Sequence, residues 1–161
     1  MEKIAPCLWF DSEAEDAATF YCAVFPNSKI SAVSRYGKEG FEHHRKPEGS
    51  VLTVEFELNG DPFLALNGGP VFKISEAVSF VVPCKDQKEV DYYWRKLTAD
   101  GGAENACGWL KDKFGVSWQI VPEAFFRMIK DPDKKKTGRV MQAMFTMTKF
   151  DIAALEKAYA G

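Results

Sequence analysis

The chain has 161 residues, 46% of them hydrophobic and 27% charged, with a formal net charge of −2. Such a length and apolar fraction suit one domain, or a tight pair of half-domains, whose core needs no covalent staples. They exclude an intrinsically disordered chain, and the charge balance supplies no basic footprint for a phosphate backbone.

The one basic run, Lys134 to Lys136, follows Asp131 and Asp133 and reads as a solvated helix end. No apolar stretch approaches the length of a membrane span, and Met1-Glu2-Lys3-Ile4 opens no secretory leader. Neither nucleic acid nor membrane is an expected partner. Cys7, Cys22, Cys84 and Cys107 are widely spread without a C-x-x-C pair, so free thiols and a cytoplasmic location are expected. The two histidines, His43 and His44, are adjacent and offer too little for a zinc site.

In chain order, Ile4 to Phe10 reads as a strand, and Asp11 or Ser12 as the cap of a helix. Ala14, Ala17, Ala18, Tyr21 and Phe25 recur at helical spacing until Pro26-Asn27 ends the pattern. Ile30 to Tyr36 has β composition. Gly37 to Gly49 reads as a loop that holds both histidines. Val51 to Leu58 alternates apolar and polar residues, and Asn59-Gly60 turns it back into Pro62 to Leu66.

The order then repeats. Ala77 to Val82 is a predicted strand, and Asp86 caps a helix running through Leu97 with Val90, Tyr93, Trp94 and Leu97 as its stripe. Ala103 to Cys107 is a short strand, and a hairpin pairs Gly108 to Lys113 with Val116 to Val121 around Phe114-Gly115. Helices are predicted over Glu123 to Lys130, near Gly138 to Met147, and over Ile152 to Tyr159 behind Asp151. The fold class is therefore α+β: two βαβββ modules, over residues 3–70 and 74–122, with a C-terminal helical extension over 123–161. One module alone leaves a sheet face open, so two modules are expected to cover each other's faces.

Several stretches resemble a known family. They are Leu8-Trp9-Phe10-Asp11, Phe20-Tyr21, Phe25-Pro26-Asn27-Ser28, Leu66-Asn67-Gly68-Gly69-Pro70, Ser79-Phe80, Cys107-Gly108-Trp109-Leu110, and the run from Asp112 to Pro122. Together they resemble the PhnB-like branch of the glyoxalase/bleomycin-resistance (vicinal oxygen chelate) superfamily, often labelled "3-demethylubiquinone-9 3-methyltransferase". The resemblance implies paired βαβββ modules, a U-shaped cleft and a homodimer whose modules pair within one chain or swap between subunits. A fold of this breadth hosts many reactions, so it implies architecture more firmly than chemistry.

Metal-dependent members place His, Gln or Glu on inward strand positions. Aligned on the quoted motifs, those positions fall at about Pro6, about Ala77 and at Gln119. Proline and alanine offer no lone pair to a metal, and an amide oxygen is a weaker ligand than a carboxylate. The neighbours Ala5, Cys7 and Val78 do not restore a ligand set. No metal and no other cofactor is expected. A methyltransferase of the dinucleotide-binding type needs a glycine-rich turn after its first strand, and nowhere in this chain do two glycines sit two apart.

Asn67, Ser79, Cys107, Trp109 and Gln119 are the residues expected to line a ligand cleft. Gln119 suits a ligand carbonyl or amine, or equally a backbone group at the sheet centre. Asn67 is as well suited to a turn as to a ligand. Ser79 has no histidine in sequence reach, and Cys107 reads either as a nucleophile or as a small buried hydrophobe. Trp109 offers a stacking wall. Trp118 falls on the opposite face from Gln119 and is left out. The leading expectation is a protein that binds or modifies a small molecule without the usual metal. The alternatives are a non-catalytic, drug-sequestering binding protein and a methyltransferase of the family label.

Overall fold

The first apolar run forms β1 (Cys7–Phe10), and α1 (Ala14–Val24) follows it. Leu8 and Phe10 are buried while Trp9 between them is half-exposed, as strand alternation requires. α1 turns Ala14, Ala17, Ala18, Tyr21 and Val24 inward. Three alanines on that stripe bring its backbone close to the sheet, and Tyr21 stacks on Phe56 with ring centroids 6.2 Å apart. Each of these fully buried aromatics contributes roughly 2–3 kcal/mol. Next come β2 (Lys29–Arg35), the single turn α2 (Phe41–His44), β3 (Val51–Leu58) and β4 (Asp61–Asn67). The sheet order is β1-β4-β3-β2, with β1 parallel to β4 and the other pairs antiparallel. The structure is a computed structural model that describes residues 4–161; it forms two compact units, one ending at Ile74 and one spanning Ser75–Gly161.

Two local expectations are corrected in the first unit. The helix cap is neither Asp11 nor Ser12: α1 starts after Glu13, and the Ala14 N–H donates to Asn67 Oδ1, 2.8 Å away at the end of β4. A cap from 53 residues downstream leaves no local pattern to read. The second correction lies in the segment 37–49. It contains one helical turn, entered and left through the left-handed Gly40 and Arg45, and not loop alone. There the His43 side chain is exposed, while His44 packs beside Tyr36 and accepts from the Lys46 N–H through Nδ1.

The second unit repeats the plan with β5 (Ser79–Cys84), α3 (Gln87–Thr98), β6 (Ala103–Glu104), β7 (Trp109–Lys111) and β8 (Ser117–Pro122). Its order, β5-β8-β7-β6, matches the first, again with the first strand parallel to the last. Asp86 caps α3 as expected, accepting from the Glu89 N–H at 2.9 Å. Val90, Trp94 and Leu97 are its buried stripe, and Tyr93 lies only partly within it. The expected strand 103–107 shrinks to two residues, because Cys107 takes a left-handed φ of 60° and leaves the ladder.

The tail comprises α4 (Glu123–Met128), α5 (Lys134–Phe145) and α6 (Ile152–Ala160). α5 begins four residues before Gly138, because Asp133 accepts from the N–H groups of Lys135 and Lys136. Phe150 fixes the tail against the turn that precedes β7. Its ring lies over Gly108, whose φ is +80° and where a Cβ would sit 2.3 Å from the ring. Gln87 adds a two-way tie, donating to Phe150 O and accepting from Ile152 N–H. Arg139 donates to the carbonyls of Ala158 and Tyr159 at the end of α6, satisfying groups that a helix end leaves open.

Candidate functional site

Register decides which side chains share the second sheet's two faces. Phe80, Val82 and Cys84 of β5 pair with Trp118, Ile120 and Pro122 of β8. With Leu110 they form the side that α3 covers: Leu110, Trp118 and Ile120 are all at most 2% exposed. The alternate residues share the other face. Ser79 pairs with Ser117, Val81 with Gln119, Trp109 with Gln119, and Lys111 with Ser117.

Three residues marked in the sequence, Ser79, Trp109 and Gln119, therefore lie on one face of one sheet, all partly exposed. Gln119 Nε2 donates to Ser79 Oγ at 2.9 Å, so the amide is held in place by a neighbouring strand. Trp118 is on the helix side, where its indole N–H donates to Asp112.

Asn67 and Cys107 are placed elsewhere. Asn67 belongs to the first unit and is 5% exposed. Its Oδ1 holds the start of α1, its Nδ2 donates to Val51 O at 3.1 Å, and its own carbonyl accepts from the Tyr36 hydroxyl at 2.7 Å. Those bonds make it a tie between α1, β3 and β4. Cys107 sits in the turn before β7, and its N–H donates to Met147 O in the tail. All four thiols are free. Burial, with the carboxylates of Glu89, Asp86 and Glu123 adding to it, pushes the Cys84 thiol up to about 12, so it stays protonated at neutral pH and is a poor nucleophile.

Two residues of the same face escaped the sequence reading. Lys111 and Ser117 line a cavity of about 150 Å³ together with Glu76, Ala103, Glu104 and Trp109. Alternation was the available signal. Lys111 is two residues from Trp109, and Ser117 is two from Gln119. The first unit holds a wider depression of about 330 Å³ between Ser12, Glu15, Asp16, Lys46 and Asn67. There Lys46 already donates to Asp11, and Asn67 is fully engaged.

The positions that could hold a family metal do not fit one. Pro6 and Ala77 carry no donor, and Gln119 is bonded to Ser79. Among the described residues, no group of three or more His, Cys, Asp or Glu side chains is arranged around a common point. A dinucleotide-like methyl donor is no better served. At the start of α1 the Ala14 N–H is taken by Asn67, and at the start of α3 the Glu89 N–H is taken by Asp86. Among the described residues, no helix is long and apolar enough to cross a membrane.

Two βαβββ sheets of like order, each with one face under its own helix, define a glyoxalase/vicinal oxygen chelate fold. The family model described as 3-demethylubiquinone-9 3-methyltransferase matches residues 2–121. The PhnB protein from Bacillus cereus is 34% identical over 75% of this chain and 99% of its own, with a TM-score of 0.66. This chain therefore belongs to the PhnB-like, 3-demethylubiquinone-9 3-methyltransferase family. Two more distant structures share the fold. A protein from Pseudomonas aeruginosa is 17% identical, covering 76% of this chain and 98% of its own, with a TM-score of 0.61. The fosfomycin resistance protein FosX from Listeria monocytogenes is 14% identical, covering 80% and 97%, with a TM-score of 0.55. No curated protein matches the chain.

Proposed function

We propose that this protein binds a small molecule on the helix-free face of its second sheet, without a divalent metal. The observation that carries the reading is the Ser79–Gln119 hydrogen bond beside Trp109 on that face. A fixed amide oxygen orients a polar group of the ligand, and the indole offers a flat apolar wall. Asn67 and Cys107 serve the fold in this reading, and no residue is assigned a catalytic role. A homodimer belongs to the same proposal, supported by the exposed apolar side chains of Val71, Phe72, Val78 and Val81, which are 49% to 74% exposed.

The family description raises methyl transfer as the competing reading, and the side-chain caps on the Ala14 and Glu89 N–H groups speak against it. Native mass spectrometry with elemental analysis, on protein purified without chelator, separates the two. The expected result is a dimer free of stoichiometric nickel, zinc, iron or manganese that neither retains S-adenosylmethionine nor transfers its methyl group to a catechol. Stoichiometric metal, or a retained methyl donor, contradicts the proposal.

A further inference from the structure

The cavity beside Trp109 contains an unmet polar group. Among the described residues, Ser117 Oγ is the one buried side-chain oxygen or nitrogen without a hydrogen-bond partner. Ser117 is 1% exposed, and such a group is costly to leave unsatisfied. Alternation turns it away from Trp118 and toward the open face, where it shares the cavity wall with its ladder partner Lys111.

Lys111 is held by the Glu76 carboxylate. The two ends of that ion pair are anchored differently. Lys111 stands in β7, between Trp109 and the hairpin turn, while Glu76 is in the irregular segment that precedes β5. Its side chain is 58% exposed, and the Lys111 ammonium keeps its carboxyl below the usual carboxylate range. An exposed pair of this kind adds little stability and exchanges readily. Glu104 also borders the cavity, but it pairs with Leu110 and turns its carboxylate to the α3 side, where it accepts from the Trp94 indole N–H at 2.7 Å.

We propose that this cavity is the subsite for an anionic head group of the ligand, and that Glu76 is its placeholder. An incoming carboxylate replaces the Glu76 carboxylate on Lys111, accepts a hydrogen bond from the Ser117 hydroxyl, and leaves the planar body of the ligand against Trp109. A cation is disfavoured, because the charge fixed on the sheet is the Lys111 ammonium, while the Glu76 carboxylate stands on an irregular segment and is already paired with it. At about 150 Å³ the cavity is smaller than a site for a whole drug-sized ligand and suits a head group. The proposal rests on the binding surface proposed above and names the chemistry of its ligand.

Three probes of one shape test it: benzoate, benzamide and benzylamine, titrated while the Trp109 indole N–H resonance is followed by NMR. The Trp109→Phe variant assigns that resonance. Benzoate is expected to bind at least about tenfold more tightly than the other two, as a charge-assisted hydrogen bond implies, and to weaken as salt is raised. Lys111→Met is expected to abolish the preference. Glu76→Gln is expected to tighten benzoate about threefold by removing the competing carboxylate. Ser117→Ala separates a site from a packing defect. It is expected to raise the denaturation midpoint, by removing the unsatisfied hydroxyl, while reducing the preference for benzoate. Equal binding of benzoate and benzamide, tighter binding of benzylamine, or a preference that survives Lys111→Met contradicts the anion subsite and leaves the binding surface standing. No response of the Trp109 resonance to any of the three contradicts both.

Discussion

Replacing Asp112 with alanine is expected to lower stability by about 3–5 kcal/mol, because it leaves three hydrogen-bond donors without their acceptor at about 1–3 kcal/mol each. The Asp112 side chain sits at the turn between β7 and β8 in a residue 3% exposed. Its Oδ1 accepts from the Phe114 and Val116 N–H groups at 2.9 and 3.0 Å, and its Oδ2 from the Trp118 indole at 2.8 Å. Alanine leaves those donors unmet where water reaches them poorly. The effect also reaches the site, because this turn sets the register that pairs Lys111 with Ser117 and Trp109 with Gln119. Asp112→Asn keeps one acceptor but turns an amide N–H₂ or a weaker oxygen toward the indole, so an intermediate loss of about 1–3 kcal/mol is expected. Guanidinium denaturation followed by Trp fluorescence and circular dichroism checks both. An unchanged midpoint in Asp112→Ala would remove the turn from the account.

The second large effect is expected at Asn67. Its side chain supplies the acceptor for the first N–H of α1 and the donor to Val51 O, so Asn67→Ala removes a helix cap and strips a part-buried carbonyl of this donor. Losing a cap costs about 0.5–2 kcal/mol and an unmet buried group about 1–3, so a total near 2–4 kcal/mol is expected. Asn67→Asp retains the acceptor and loses the donor, and falls between. Amide hydrogen exchange gives the specific readout: Ala14 loses protection in Asn67→Ala and keeps it in Asn67→Asp. A variant of normal stability with altered ligand binding would return Asn67 to the ligand site.

These two residues show where the sequence was legible. The element order was readable because each strand of the hairpin units alternates and each helix carries a stripe, signals that need only neighbours in the chain. Asp86 was readable for the same reason, since its partner Glu89 is three residues away. Asn67 was not, because its partner is at Ala14. The turn around α2 was missed because four residues between left-handed Gly40 and Arg45 carry no periodicity. Ser79, Trp109 and Gln119 were marked as polar or aromatic residues lining a cleft, and the ladder puts them on one face. Lys111 and Ser117 were not singled out, because only the hairpin register pairs them, and the Lys111–Glu76 pair joins residues 35 apart. Cys107 read as a strand residue because its left-handed backbone follows from a tail contact, its N–H to Met147 O.

Backbone and side-chain NMR of the full chain, titrated with a library of small planar fragments, tests most directly whether the second sheet's open face is the binding surface. The expected result is a cluster of perturbed resonances at Ser79, Trp109, Lys111, Ser117 and Gln119, with Ala14, Val51 and Asn67 unmoved. Perturbations confined to the start of α1 and Asn67, or the absence of any cluster on the second sheet, would contradict it.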